Sequence, residues 1–168
     1  MAVRILSFSY RYAEQIFNSK LSLKTELEDV IYASCADLSI LTRPNFNKIL
    51  DEKFLQKEWT RQAPVFTNDI DAYAKLDFLK ERVGVEVQFG HSSFIGIDLL
   101  KFQIASYSNL DRIDFGVYIC TTKNMQKYLT KQFDLNWEGS LTFEKVKNYL
   151  PHIKSAIQVP VYLIGIDV

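Results

Sequence analysis

Asp77, Glu86 and Gln88 sit in two short strand-like runs separated by the polar segment Lys80-Glu81-Arg82. In a strand, residues two apart point to the same face, so Glu86 and Gln88 share one side while Val85 and Val87 face a core on the other. If Glu81 and Arg82 form a two-residue hairpin loop, opposed residues have numbers summing to 163. Asp77 then faces Glu86 across the hairpin, although Glu-Arg lacks the Gly or Asn that tight hairpins prefer. Two like charges opposed on a sheet repel each other. A divalent cation removes that repulsion, and an all-oxygen donor set suits magnesium. The competing reading pairs one carboxylate with Lys75, Lys80 or Arg82 on a solvated face. Gln88 has no proton-accepting charge near neutral pH and is no strong general base. It can orient a water or an anionic group, which leaves the activation of water to the metal.

The elements that must position these residues follow from the pattern around them. Residues 3–8 read as a strand and residues 12–18 and 25–33 as helical segments. Thr42-Arg-Pro-Asn opens a helix that runs to about residue 57, with Pro44 tolerated in the first turn and Phe46, Ile49, Leu50 and Phe54 on one face. Residues 59–67 look extended, and residues 74–79 and 83–89 are the two strands of the carboxylates. A helix follows over residues 92–107, with Ser92 or Ser93 as N-cap. Residues 112–121 alternate Ile113, Phe115, Val117 and Ile119 to one side, and helices are expected at residues 123–130 and 142–150. The apolar run at residues 159–166 reads as a buried strand. This order predicts an α/β fold, a central mixed sheet flanked by helices.

Composition sets the outer limits. A chain of 168 residues fits one domain, here with an expected core at residues 44–121 and a C-terminal part at residues 122–168. Hydrophobic residues at 48% and charged residues at 24% exclude wholesale disorder. Twenty basic residues balance 20 acidic ones, which counts mildly against a nucleic-acid binder, although local clustering can still build a basic surface. Cys35 and Cys120 lie far apart without a CxxC pairing, so they are expected as buried free thiols in a reduced, cytoplasmic setting. No apolar run approaches the roughly 18 residues of a membrane span. His91 and His152 lack ligand spacing, which argues against a histidine-based metal site.

The segment Leu76-Asp-Phe-Leu-Lys-Glu-Arg-Val-Gly-Val-Glu-Val-Gln-Phe-Gly resembles the active-site block of BglII/BstYI-type restriction endonucleases, within the PD-(D/E)XK nuclease superfamily. In that group the final lysine of the motif is replaced by glutamine, and Asp77, Glu86 and Gln88 match in type and spacing. Ser93-Phe with Asp98-Leu, Ile113-Asp-Phe-Gly-Val, Trp137-Glu-Gly-Ser-Leu and Val159-Pro-Val-Tyr-Leu-Ile-Gly-Ile resemble later family segments, and residues 45–59 the helix before the core. The resemblance implies a restriction-endonuclease-like core and a type II enzyme that cuts double-stranded DNA at a short palindrome, GATC-centred in relatives. It implies one or two Mg²⁺ ions held by Asp77, Glu86 and the Val87 carbonyl, a homodimer, and a cognate DNA methyltransferase as genetic partner. Asn47 or Glu52 on the preceding helix is expected to assist. Two departures stand out: the region around residues 35–44 is shorter than the family pattern, and His91 stands where a lysine is expected.

For the DNA surface, the expected residues are His91, Ser92 and Ser93 after the motif, Lys123 and Lys127 on one helix, and Asn136 and Ser140 around Trp137-Glu-Gly. Lys123, Lys127 and Lys131 recur every four residues, which makes either a solvated face or a phosphate-contacting stripe. Asn136 and Ser140 could read base edges or simply fill a surface loop. A structure-selective or repair nuclease, and an inactive DNA-binding subunit, remain as alternatives at this stage.

Overall fold

A computed structural model describes residues 2–66, 71–107 and 111–168. Its six strands are β1 (Arg4–Tyr10), β2 (Thr60–Pro64), β3 (Lys75–Lys80), β4 (Val83–Val87), β5 (Phe115–Thr121) and β6 (Val161–Asp167). They form one mixed sheet in the order β1-β6-β5-β4-β3-β2. The β4-β5-β6 centre is parallel and the flanking pairs are antiparallel. The helices are α1 (Ala13–Asn18), α2 (Leu21–Ser34), α3 (Arg43–Gln56), α4 (Ile95–Tyr107), α5 (Lys123–Phe133) and α6 (Phe143–Tyr149). The expected mixed sheet with flanking helices is what forms, although Thr67, the end of one expected extended run, lies outside the described residues.

The sheet is covered on both faces, which is why β5 and β6 are buried at every position rather than alternating with solvent. One apolar layer joins Phe17, Leu27, Phe46, Phe54, Val85, Val117 and Ile119 under α1, α2, α3 and α5. The other joins Leu99, Phe102, Tyr118, Cys120, Phe143 and Leu163 under α4 and α6. Gly116 and Gly165 let those helices seat, because a Cβ on either would lie 2.6 Å from the ring of Phe102 or Phe143. Cys35 and Cys120 are buried free thiols, and burial pushes the Cys35 thiol up to about 12.

Caps mark the helix starts. The Thr42 side chain accepts from Asn45 N–H at the head of α3, with Pro44 in the first turn, and Thr122 and Thr142 do the same for α5 and α6. Before α4, it is His91 rather than Ser92 or Ser93 whose side chain caps, accepting from the Ser93 N–H onto Nδ1 at the start of a 3₁₀ turn over Ser92–Phe94. The imidazole is an alternative acceptor to the hydroxyl that the usual preferences favour.

The β3–β4 hairpin turns through Glu81 and Arg82, both left-handed at φ 47° and 65°. This is the backbone of a two-residue hairpin loop, made here without glycine. Arg82 is fastened to Asp111 and Asp114, and Lys20 donates to the Glu81 carbonyl at 2.9 Å. The paired rungs are Lys80↔Val83, Leu79↔Gly84 and Phe78↔Val85, the register expected from the sequence.

Candidate active site

At Asp77 the regular pleat breaks. Leu76 packs into the layer under α4 while Phe78, two residues on, packs into the opposite layer, so β3 turns over between them. Gln62, at the matching place on β2, has φ 52° and its neighbours pair Arg61↔Phe78 and Ala63↔Leu76. No backbone rung joins Asp77 to Glu86. Instead the Asp77 carboxylate accepts the Val87 N–H at 2.8 Å, bracing the end of β4 from the side. Gln62 reaches the other Asp77 oxygen only at 3.4 Å. Burial raises the Asp77 carboxyl above its ordinary range, against the bond from Val87 and the charge of Lys101.

Glu86 points to the α4 side, as its alternation with Val85 and Val87 requires, and its side chain is 3% exposed. None of Lys75, Lys80 and Arg82 forms its ion pair. Lys101 of α4 does, donating from Nζ to Glu86 Oε2 at 2.6 Å, and to the Lys75 carbonyl at 3.2 Å. The same ammonium lies 3.3 Å from Asp98 Oδ1. Lys80 goes to Glu26 and Arg82 to Asp111 and Asp114. Burial, then the negative charge of Asp77, pushes the Glu86 carboxyl up to about 9, with Lys101 working against both. Burial alone would push the Lys101 ammonium down, but Glu86, Asp98 and Asp77 outweigh it and hold it up.

Asp98 is the hub beneath these residues. Its Oδ2 accepts from Tyr118 O–H and from Gln88 Nε2, each at 2.8 Å. Gln88 Oε1 in turn accepts the Gly90 N–H at 2.8 Å. The Gln88 amide is thus engaged at both ends. Lys101 and Asp98 were missed from the sequence, because they come from a helix whose docking on the sheet no local spacing reveals.

The fit for a metal rests on one atom. Among the described residues, the buried side-chain oxygen or nitrogen without a hydrogen-bond partner is Glu86 Oε1. An orphaned carboxylate oxygen of this kind is costly unless something fills the place. The donor chemistry suits magnesium, since Asp77 is near enough for its charge to act on Glu86 and both offer carboxylate oxygens. The described residues contain no group of three or more His, Cys, Asp or Glu placed to hold a metal, so backbone and water oxygens would have to complete the shell. Asp77 also borders a cleft of about 200 Å³ with Asn47, Asp51, Arg61 and Gln62. Of the two assisting candidates on α3, Asn47 lines this cleft and Glu52 does not.

Residues 6–166 match the family model described as restriction endonuclease BglII/BglIII. The chain belongs to that family. The endonuclease is also similar in fold to the solved restriction endonuclease BglII complexed with a DNA 16-mer, at a TM-score of 0.72 and 19% identity over 98% of this chain and 76% of that one. No curated protein matches it in sequence. Family membership makes the chain a site-specific, type II DNA-cleaving enzyme.

The remaining expected residues of the endonuclease fall into two connected groups. His91 forms an isolated bridge with Ser140, and the Leu141 N–H donates to the Gly90 carbonyl. Ser92 receives a bond from Lys145 Nζ, and Ser93 Oγ lies 2.9 Å from His91 Nδ1. Ser140 is buried, with Arg43 at 3.4 Å from its hydroxyl. The second group, Lys123, Lys127 and Asn136 with Lys131, lines a groove of about 690 Å³ between α5 and residues 134–138. That groove is larger than the cleft at Asp77, and neither Asp77 nor Glu86 lines it. Residues 134–140 join the two groups, with Trp137 buried as their anchor against Phe46 and Phe89.

Proposed function

We propose that this endonuclease hydrolyses phosphodiesters of double-stranded DNA at a short palindrome, GATC-centred as the resemblance implies, with Mg²⁺ bound between Asp77 and Glu86. The single observation behind the metal site is Glu86 Oε1, buried beside Asp77 and unpartnered. The Val87 carbonyl is the expected third ligand. The ion supplies a water of lowered pKa and neutralises charge on the phosphate. The chain's own residues orient and exclude: Asp77 braces Val87, and Lys101 fixes Glu86. Gln88 acts as a positioning group that ties Asp98 to the Gly90 turn and so to the His91–Ser140 bridge. For Gln88 to orient a water or phosphate directly, its amide must leave one of these bonds.

DNA lies, in this reading, across His91, Ser92 and Ser93 and along Lys123, Lys127 and Asn136, where exposed lysines offer phosphate contacts. The buried Ser140, expected at the DNA, instead braces His91 from behind. A second copy of the chain is the partner. Helix α4 is apolar on its outer face as well as its inner one, leaving Ile97, Leu100 and Tyr107 exposed. Gly96 lies on the same face, and a Cβ there would meet nothing within 4 Å. Among the described residues no contact requires this glycine, whereas close approach of a second helix would use it. Two-fold symmetry of the protein then matches the two-fold symmetry of a palindrome. The enzyme works in the cytoplasm, with a methyltransferase protecting the host's own sites.

The test incubates purified protein with plasmid and phage DNA, with Mg²⁺ or with EDTA. Discrete, Mg²⁺-dependent fragments are expected. Intact DNA, or cuts confined to branched substrates, would overturn the proposal.

A further inference from the structure

The strand motif carries glutamine where a cation would otherwise stand, yet an ammonium reaches the centre from another element. Lys101 Nζ lies 2.6 Å from Glu86 Oε2 and 3.3 Å from Asp98 Oδ1, with its side chain only 16% exposed. A surface lysine does not adopt such a place by default, since burying an ammonium is costly unless carboxylates receive it. Glu86 is divided by this contact. Oε2 belongs to the lysine and Oε1 has no partner.

We propose that Lys101 is a positioning residue of the reaction centre: it shares Glu86 with the catalytic metal, lysine on Oε2 and metal on Oε1, and supplies the cation missing from position 88. The inference rests on the nuclease reading above. Its electrostatic reason is a count of charges. With a metal in place all three carboxylates, Asp77, Glu86 and Asp98, would be ionised, and a divalent ion would leave one of their three charges uncompensated. Lys101 brings the site to neutrality before an anionic phosphodiester arrives. It also holds the Glu86 carboxylate in one rotamer, so that Oε1 is aimed before the ion binds.

The geometry separates this role from a structural one. An ammonium beside a bound cation repels it, so at a pH where Glu86 is ionised, removing the charge leaves metal binding as tight or tighter while the chemistry slows. A residue that only keeps the site in shape gives the other pattern, weaker metal and slower chemistry together. DNA-free wild-type protein, Lys101→Met and Lys101→Arg are titrated with Ca²⁺ by calorimetry over a pH series, affinities being compared at the high-pH plateau where Glu86 is ionised in each. Single-turnover cleavage of plasmid DNA is followed with Mg²⁺. Lys101→Met is expected to bind Ca²⁺ at least as tightly as wild type and to cleave on the order of 100-fold more slowly. Lys101→Arg is expected to return Ca²⁺ affinity to the wild-type value and to recover part of the rate. Cleavage by Lys101→Met within twofold of wild type overturns the proposal, as does a tenfold loss of Ca²⁺ affinity with an unchanged melting curve. If the methionine variant does not fold, Lys101→Gln, which keeps a donor to Oε2, is read by the same two criteria. Wild-type protein that binds Ca²⁺ but leaves all DNA intact would overturn the nuclease reading, and the titrations would still decide how Glu86 is shared.

Discussion

Glu86 is buried next to a second carboxylate, which favours its protonated form, and a metal bound there would have to displace that proton. Burial and the charge of Asp77 push the folded carboxyl up to about 9 from its ordinary 4.5, so between those limits the folded chain binds more protons than the unfolded one. Stability from this group is therefore complete below pH 4.5 and is lost as pH rises through about 9. In EDTA the melting temperature is expected to fall across this window, with Glu86→Gln flattening the decline. Saturating Ca²⁺ is expected to lessen it; identical slopes for wild type and Glu86→Gln would argue against a protonated Glu86. Asp77→Asn and Glu86→Gln are each expected to abolish Mg²⁺-dependent cleavage with the circular dichroism spectrum retained, and undiminished activity in either would remove the metal site as drawn. Asp77 and Glu86 were legible because strand alternation and a specific block of neighbours fall on the same residues. Lys101 and Asp98 were not, since each lies on a helix at least ten positions beyond the strand residue it contacts.

Among the elements, the hairpin was readable down to its register, while the reversal of β3 at Asp77 was not. The register follows from counting outward from a two-residue loop. The reversal depends on a left-handed Gln62 in the neighbouring strand, a long-range accommodation without any sequence signal. Helix α4 is where the fold and the chemistry are most tightly joined. Phe102 presses on Gly116 of the central strand, and the next residue back is Lys101. Gly116→Ala is expected to cost about 1–3 kcal/mol through overpacking, read as a lower urea midpoint. Because the ring must move and carry α4 with it, cleavage per folded molecule is expected to drop as well. A variant as active and as stable as wild type would show that α4 is less rigidly seated than its contacts indicate. Gly90→Ala makes a narrower probe. Its Cβ would fall 2.8 Å from Gln88 Oε1, so it disturbs that amide, and through it Asp98, without contacting Asp77 or Glu86.

For the whole molecule, balanced charge proved no obstacle to a DNA-cleaving family, since basic residues can be grouped while acidic ones are drawn into the centre and into ion pairs. Assembly is tested by Leu100→Glu, which puts a charge on the outer face of α4. Sedimentation is expected to show monomer for the variant and dimer for the wild type, with nicking replacing double-strand cleavage. An unaltered dimer would move the interface elsewhere. The sheet order has one more consequence, for the timing of folding. Strand β6 is an inner strand, flanked by β5 and β1, yet it comes from residues 161–167. During synthesis the earlier strands must wait for it, with β1 lacking its partner and one edge of β5 unpaired. A nascent chain therefore closes this sheet only after residues 161–167 have left the ribosome. Until then the sheet behind Asp77 and Glu86 lacks the neighbour that completes β5.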